Sequence, residues 1–227
     1  MKIIASDFDG TLYRNHQISA RDREAIRRWQ AAGNLFGLVT GRDSGIREEA
    51  AELGITLDFT IAHSGALIFD RDGVLLREDS FDAAIAKEYY SFAYDESGFS
   101  FQHDRPDTDN PVGRETQIEL LLHTGEDARA LCELINARFG DRLNSFTNGA
   151  WINTVAVGTS KASGIANFAA LCGVSRENIF AVGDSYNDLS MLEEYDGYVV
   201  ASAGDGMKQL IPNVCDDIAH LTEIAGL

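Results

Sequence analysis

The chain has 227 residues, with 36 acidic against 19 basic side chains and a formal charge of −17. With 44% hydrophobic and 24% charged residues, it has the balance of a globular protein of one large or two modest domains rather than a disordered one. A polyanion is a poor partner for nucleic acid or an anionic membrane surface, and on charge alone the excess also disfavours a phosphorylated ligand.

In chain order, the apolar run at 2–7 followed by Gly10 predicts a strand buried on both faces. A helix is expected over 19–32, with Ser19 as its cap, Ile18 and Ile26 as apolar contacts, and Gly33 where a C-terminal glycine belongs. A second strand at 35–40, a helix over 44–53 ended by Gly54, and a third strand at 59–63 follow. Segments 66–69 and 74–77 flank Asp70-Arg71-Asp72-Gly73, a hairpin turn signal.

From residue 79 the rhythm changes. A helix-like stretch rich in alanine and aromatics covers 82–94, and short strands are expected near 98–103 and 117–123, separated by a polar, proline-bearing loop at 104–115. An amphipathic helix spans 126–139, and 142–148 and 151–157 form a hairpin turning at Asn148-Gly149. The first rhythm then resumes. A helix over 161–172 is closed by Gly173, and a strand at 178–183, a helix over 188–194, a strand at 197–201 and a helix near 216–225 complete the chain.

Alternation of strand and helix, interrupted by an α+β block, predicts an α/β fold. The expected architecture is a Rossmann-like three-layer parallel-sheet core over 1–78 and 157–227, with an α+β domain inserted at 79–156. No run of about 18 apolar residues occurs to span a bilayer, and the residues before Asp7 are too few for a signal-peptide core. Cys132, Cys172 and Cys215 fit neither a disulfide framework nor a zinc cluster and read as reduced thiols of a cytosolic protein, monomeric or homodimeric.

Ligands of open parallel sheets bind beyond the carboxyl ends of the strands. Those ends carry Asp7, Thr40, Ser64 and Asp184. One such residue is ordinary turn chemistry. Four aimed at the same edge suggest a site. In Asp7-Phe8-Asp9-Gly10-Thr11 the alternation lets both carboxylates leave the strand on one side, with Gly10 permitting a tight exit and Thr11 offering a hydroxyl. Paired carboxylates repel unless a cation lies between them, and an oxygen-only set suits Mg²⁺. Gly183-Asp184-Ser185-Tyr186-Asn187-Asp188 supplies a second acidic pair, although Asn187 and Asp188 equally suit a helix N-terminus. Thr40-Gly41-Arg42 places a hydroxyl and open backbone N–H groups at a loop-to-helix junction suited to phosphate. Lys161 opens a helix, where a cation opposes the helix dipole unless an anion is held nearby.

These segments resemble, in order, the four motifs of the haloacid dehalogenase superfamily. The insertion between the second and third motifs resembles the Cof-type phosphatase branch with a small cap at 79–156. The resemblance implies a Mg²⁺-dependent phosphomonoester hydrolase acting on a small phosphorylated metabolite, such as a sugar phosphate or phosphoglycolate. It implies Asp7 as the nucleophile that forms an aspartyl-phosphate and Asp9 as general acid and then base. Asp7, the Asp9 carbonyl and Asp184 would hold the metal, with Asp188 as ligand or support, and Thr40, Gly41 and Lys161 would hold the phosphoryl oxygens. Thr11, Arg42, Asn187 and the cap residue Arg114 are further candidates for substrate or supporting contacts. Ser64 and Gly65 join them, standing in Ser64-Gly65-Ala66 where the family usually carries Asn-Gly-Ala. A phosphomutase or phosphoryl transferase, a receiver-like phospho-aspartate switch, and an inactive metal-binding scaffold are the alternatives.

Overall fold

The computed structural model describes residues 1–106 and 113–227, and within it the chain divides into two compact units, Met1–Arg77 with Ser160–Leu227, and Glu78–Thr159. The first unit begins with β1 (Ile3–Ser6), every residue of which is buried. The chain then runs through α1 (Ala20–Ala31), β2 (Leu35–Val39), α2 (Ile46–Glu52), β3 (Phe59–Ala62), β4 (Leu67–Asp70) and β5 (Leu75–Glu78). Ser19 caps α1 by accepting the Asp22 N–H at 2.9 Å.

In the second unit, β6 (Phe81–Asp82) leads into α3 (Ala83–Ser91), which Asp82 caps and which continues as a π-helical turn, Phe92–Glu96. β7 (Arg114–Glu115) pairs antiparallel with β6, an element the sequence pattern does not announce. β8 (Ile118–Leu121), α4 (Gly125–Phe139), β9 (Leu143–Asn148) and β10 (Trp151–Ala156) follow, and the three longer strands form an antiparallel sheet in the order β8-β10-β9. Leu131, Ile135 and Phe139 of α4 pack with Ile118, Leu120 and Ile152 in its core. The strand expected near 98–103 reduces to one bridge between Phe101 and Leu122. That segment is bounded by glycine and serine and has too little continuous apolar sequence to hold a ladder. Of the expected 104–115 loop, residues 107–112 lie outside the described residues.

The chain returns to the first unit with α5 (Lys161–Cys172), β11 (Ile179–Gly183), α6 (Leu189–Glu194), β12 (Tyr198–Val200), α7 (Asp205–Leu210), β13 (Val214–Cys215) and α8 (Ile218–Ile224). α7 and β13 are too short to leave a periodic signal, and a 3₁₀ turn, Tyr186–Asp188, precedes α6 where the pattern predicts helix from residue 188. The eight strands order as β13-β12-β11-β1-β2-β3-β4-β5. All pairs from β13 to β3 are parallel, while β4 runs antiparallel to β3, so the expected parallel sheet carries an antiparallel margin. Ala5 lies level with Ala181 on one side and Gly37 on the other, a row of small residues across one face of the sheet. Among the described residues no helix is long and apolar enough to cross a membrane.

One buried acid ties this unit together. Asp22 is fully buried; it accepts from the Ser19 hydroxyl at 2.8 Å and the Ala219 N–H at 3.1 Å and pairs with Arg14 at 3.2 Å. Asp22→Ala strands these donors at once and is expected to lower stability by about 2–4 kcal/mol in urea unfolding; an unchanged midpoint would show that the network carries no weight.

Candidate functional site

Asp7 follows β1 directly and is tied to the neighbouring strand by its N–H, which donates to the Val182 carbonyl at 2.9 Å. Its carboxylate Oδ1 accepts from the Lys161 ammonium at 2.7 Å, and the same ammonium donates to Asp188 Oδ1 at 2.6 Å. Lys161 is the first residue of α5 and is only 1% exposed, held there by a reciprocal capping box between Ser160 and Ser163. The unfavourable placement of a cation at a helix N-terminus is thus answered by two carboxylates.

Asp188 does two jobs. Its Oδ2 accepts the N–H groups of Asp184 at 3.0 Å and Ser185 at 3.1 Å, closing the turn after β11, while Oδ1 faces Lys161. Asp184, at the end of β11, accepts from the buried Thr11 hydroxyl at 3.1 Å. Gly10, with φ of 84°, lies so near Asp184 that a Cβ there would overlap its carboxylate. One oxygen each from Asp7, Asp184 and Asp188 comes within 4.8 Å of the other two.

Two carboxylates thus hold one ammonium, and a third, Asp184, lies close to both of them. Burial works against the charge of Lys161, yet Asp188 and Asp7 outweigh it and hold its pKa above the ordinary lysine value. Burial, then Asp188, pushes Asp7 up to about 8 in spite of Lys161. Burial and Asp188 likewise push Asp184 up to about 6, against the Thr11 hydroxyl. With all four groups ionised, two negative charges remain uncompensated in an oxygen-only donor set whose Asp7 and Asp188 are buried and whose Asp184 is half-buried. That is the chemistry of a site for a divalent cation.

The other predicted residues divide. Asp9 does not join Asp7 on the buried side as the alternation suggests. The chain turns after β1, and the Asp9 carboxylate is 59% exposed, facing Arg42 at 3.5 Å. Arg42 also pairs with Glu49 and lies over the Phe8 ring at 5.5 Å. Thr40 is buried, its hydroxyl oxygen accepting the Arg42 N–H at 3.1 Å and its carbonyl the Ser64 N–H at 2.9 Å, so Thr40, Gly41 and Ser64 belong to one interlocked turn. Ser64 is buried in the left-handed region with φ of 55°. Gly65 has a packing role, since a Cβ would run into the Ser160 carbonyl at the start of α5. Asn187 accepts from the Ser185 hydroxyl at 2.5 Å. Arg114 lies in the second unit, exposed on β7.

Sequence reasoning passed over residues 13–16. Tyr13, Arg14, Asn15 and His16 line a cavity of about 580 Å³ with Gly10, Asp184 and Ser202. The available signal was a two-residue polar turn, Asn15-His16, set between apolar Leu12 and Ile18.

The sequence matches the family of haloacid dehalogenase-like hydrolases over residues 4–105 and 87–220. It is 28% identical over 228 residues to a 5-amino-6-(5-phospho-D-ribitylamino)uracil phosphatase of Bacillus subtilis, covering 95% of this chain and 90% of the relative. It is 27% identical over 207 residues to a phosphoglycolate phosphatase of Natronomonas pharaonis, covering 88% and 84%. The fold matches that of a haloacid dehalogenase-like hydrolase from B. subtilis with a TM-score of 0.83 at 22% identity, covering 99% of each chain. The chain belongs to the haloacid dehalogenase-like hydrolases, in their Cof-type phosphatase branch.

Proposed function

We propose that this haloacid dehalogenase-like phosphatase is a Mg²⁺-dependent phosphomonoesterase of the cytosol, acting on a small phosphorylated metabolite through an aspartyl-phosphate on Asp7. The observation that carries the reading is the cluster of Asp7, Asp184 and Asp188, with buried Lys161 paired to Asp7 and Asp188. Relatives that act on a phosphoribitylamino-uracil and on phosphoglycolate support a small ester as substrate. The free thiols Cys132, Cys172 and Cys215 suit a reducing compartment.

In this reading a carboxylate oxygen of Asp7 attacks phosphorus, the P–O bond to the leaving group breaks, and Asp9 gives that oxygen its proton. Asp9, now a carboxylate, takes a proton from water, which attacks the same phosphorus. The bond to Asp7 then breaks and inorganic phosphate leaves. Lys161 holds Asp7 Oδ1 in a fixed direction with one N–H and Asp188 with a second, leaving the third for a phosphoryl oxygen. Thr40 and the Gly41 N–H hold the remaining phosphoryl oxygens. Mg²⁺ held by Asp7, Asp184 and the Asp9 carbonyl would neutralise charge on the phosphoryl group. Asp188, whose two oxygens already accept three hydrogen bonds, acts by positioning Lys161 and the Asp184 turn. All these groups lie in the first unit; residues 79–156 are assigned to choosing the leaving group.

The direct test is phosphate release from a panel of phosphorylated metabolites with Mg²⁺ and with excess chelator. Release that needs Mg²⁺ is expected. A single lasting self-phosphorylation would favour a switch, and transfer to a second hydroxyl without free phosphate would favour a transferase.

The acids also set a pH dependence for the metal. Asp184 (about 6) and Asp7 (about 8) must lose their protons before the metal binds. Mg²⁺ affinity is therefore expected to tighten about tenfold or more between pH 6 and 8, with proton release, in titration calorimetry. An affinity flat across that range would contradict the charge balance drawn above.

A further inference from the structure

Asp9 is the group of the proposed reaction that the core holds least. Its carboxylate is 59% exposed, and the cation it faces is Arg42, whose Nη1 stands 3.5 Å away. A side chain that open turns among its rotamers, yet a general acid has to be presented within hydrogen-bond reach of the leaving oxygen.

Arg42, by contrast, is held through both its backbone and its side chain. Its N–H donates to the Thr40 hydroxyl at 3.1 Å, and its carbonyl accepts the His63 N–H at 3.0 Å. Its guanidinium lies over the Phe8 ring at 5.5 Å. That ring is fully buried and stacks on Tyr13 with centroids 5.2 Å apart. Nη2 donates to Glu49 Oε2, one turn into α2, while Nη1 is the nitrogen that faces Asp9. Buried Ile46 and Ala50 anchor α2. A planar fork with one nitrogen tied to an anchored helix leaves the other little freedom.

We propose that Glu49 and Arg42 are positioning residues for Asp9: Glu49 fixes the guanidinium by one nitrogen, and the other nitrogen sets the direction of the Asp9 carboxylate. The proposal rests on the phosphatase reading and deepens it. At 3.5 Å the contact between Arg42 and Asp9 is longer than a good hydrogen bond, so it directs the carboxylate without occupying its oxygens. Glu49 maintains that separation. A guanidinium released from Glu49 is free to close on Asp9 as a fork and take both oxygens. Both ion pairs are partly exposed and add little to stability, so their loss is expected in the chemistry rather than in the melting temperature.

The test compares kcat/KM for phenyl phosphate and for p-nitrophenyl phosphate, using the full chain with Mg²⁺. The two esters have nearly the same shape, but the phenolate of the first is more basic and gains more from a delivered proton. Because kcat/KM covers the steps up to loss of the leaving group, the ratio of the two isolates the acid role of Asp9. That ratio is expected to fall about tenfold or more in Arg42→Gln and about threefold or more in Glu49→Ala. On an Asp9→Asn background neither substitution should lower it further. Ratios within about twofold of the parent in both variants would overturn the positioning role. An equal loss on both esters is such a result; it would mark Arg42 as a phosphoryl contact and leave the phosphatase reading intact. Absence of phosphate release from both esters by the parent protein would overturn both.

Discussion

Asp7→Asn is expected to lose at least about 10⁴-fold in turnover while keeping its fold. The amide cannot form the aspartyl-phosphate, yet it fills the same space beside Lys161. Its effect on stability has the opposite sign. In the metal-free protein Asp7 titrates near 8 against an ordinary 3.8, so between about pH 4 and 8 the folded state holds a proton that the unfolded state has lost. Stability contributed by that proton is full below the ordinary value and fades as pH rises through the window. Asp7→Asn removes this slope, and metal-free melting curves at pH 5 and pH 8 should differ less than in the parent protein. Retained phosphate release would remove Asp7 from the chemistry, and an unaltered pH slope would remove it from the charge balance.

Lys161→Met is expected to lower turnover by about 10²–10³-fold, the usual consequence of removing one preorganised donor from a developing charge. The variant also leaves Asp7 and Asp188 facing each other without their shared cation. Asp7 loses the cation that favours its charged form, so the metal-free variant should weaken most at high pH and recover as pH falls. Mg²⁺ should restore part of the lost stability by mass action. Kinetics equal to the parent protein would make Lys161 purely structural.

These groups were legible because each sits where local chemistry is informative. Asp7, Thr40, Ser64 and Asp184 stand at or just beyond strand ends, and short buried strands are unmistakable in Ile3-Ile4-Ala5 and Phe180-Ala181-Val182. Lys161 was legible as a helix-opening cation that wanted an anion, and the structure supplies two. Other features were out of reach. The alternation of Asp7 and Asp9 implies a shared side only while the strand continues, and β1 ends at Ser6. The short α7, β6, β7 and β13 draw their stability from tertiary pairing, which leaves no periodic trace. The cavity that Asn15 and His16 line required knowing that this turn comes to share it with Asp184, about 170 residues away in sequence.

The opening paradox of charge has a local answer. An excess of acid is what makes the cluster of Asp7, Asp184 and Asp188 a place that could hold a dication, and a dication beside Lys161 would bring the group's charge from −2 to zero within an anionic protein. Net charge alone therefore does not argue against a small phosphate ester.

The stereochemical course at phosphorus, followed with an isotopically chiral phosphate monoester and Mg²⁺, tests the central chemistry most directly. Two successive in-line displacements, first by Asp7 and then by water, give net retention of configuration. Inversion would mean that water attacks the ester directly, and would contradict an aspartyl-phosphate on Asp7.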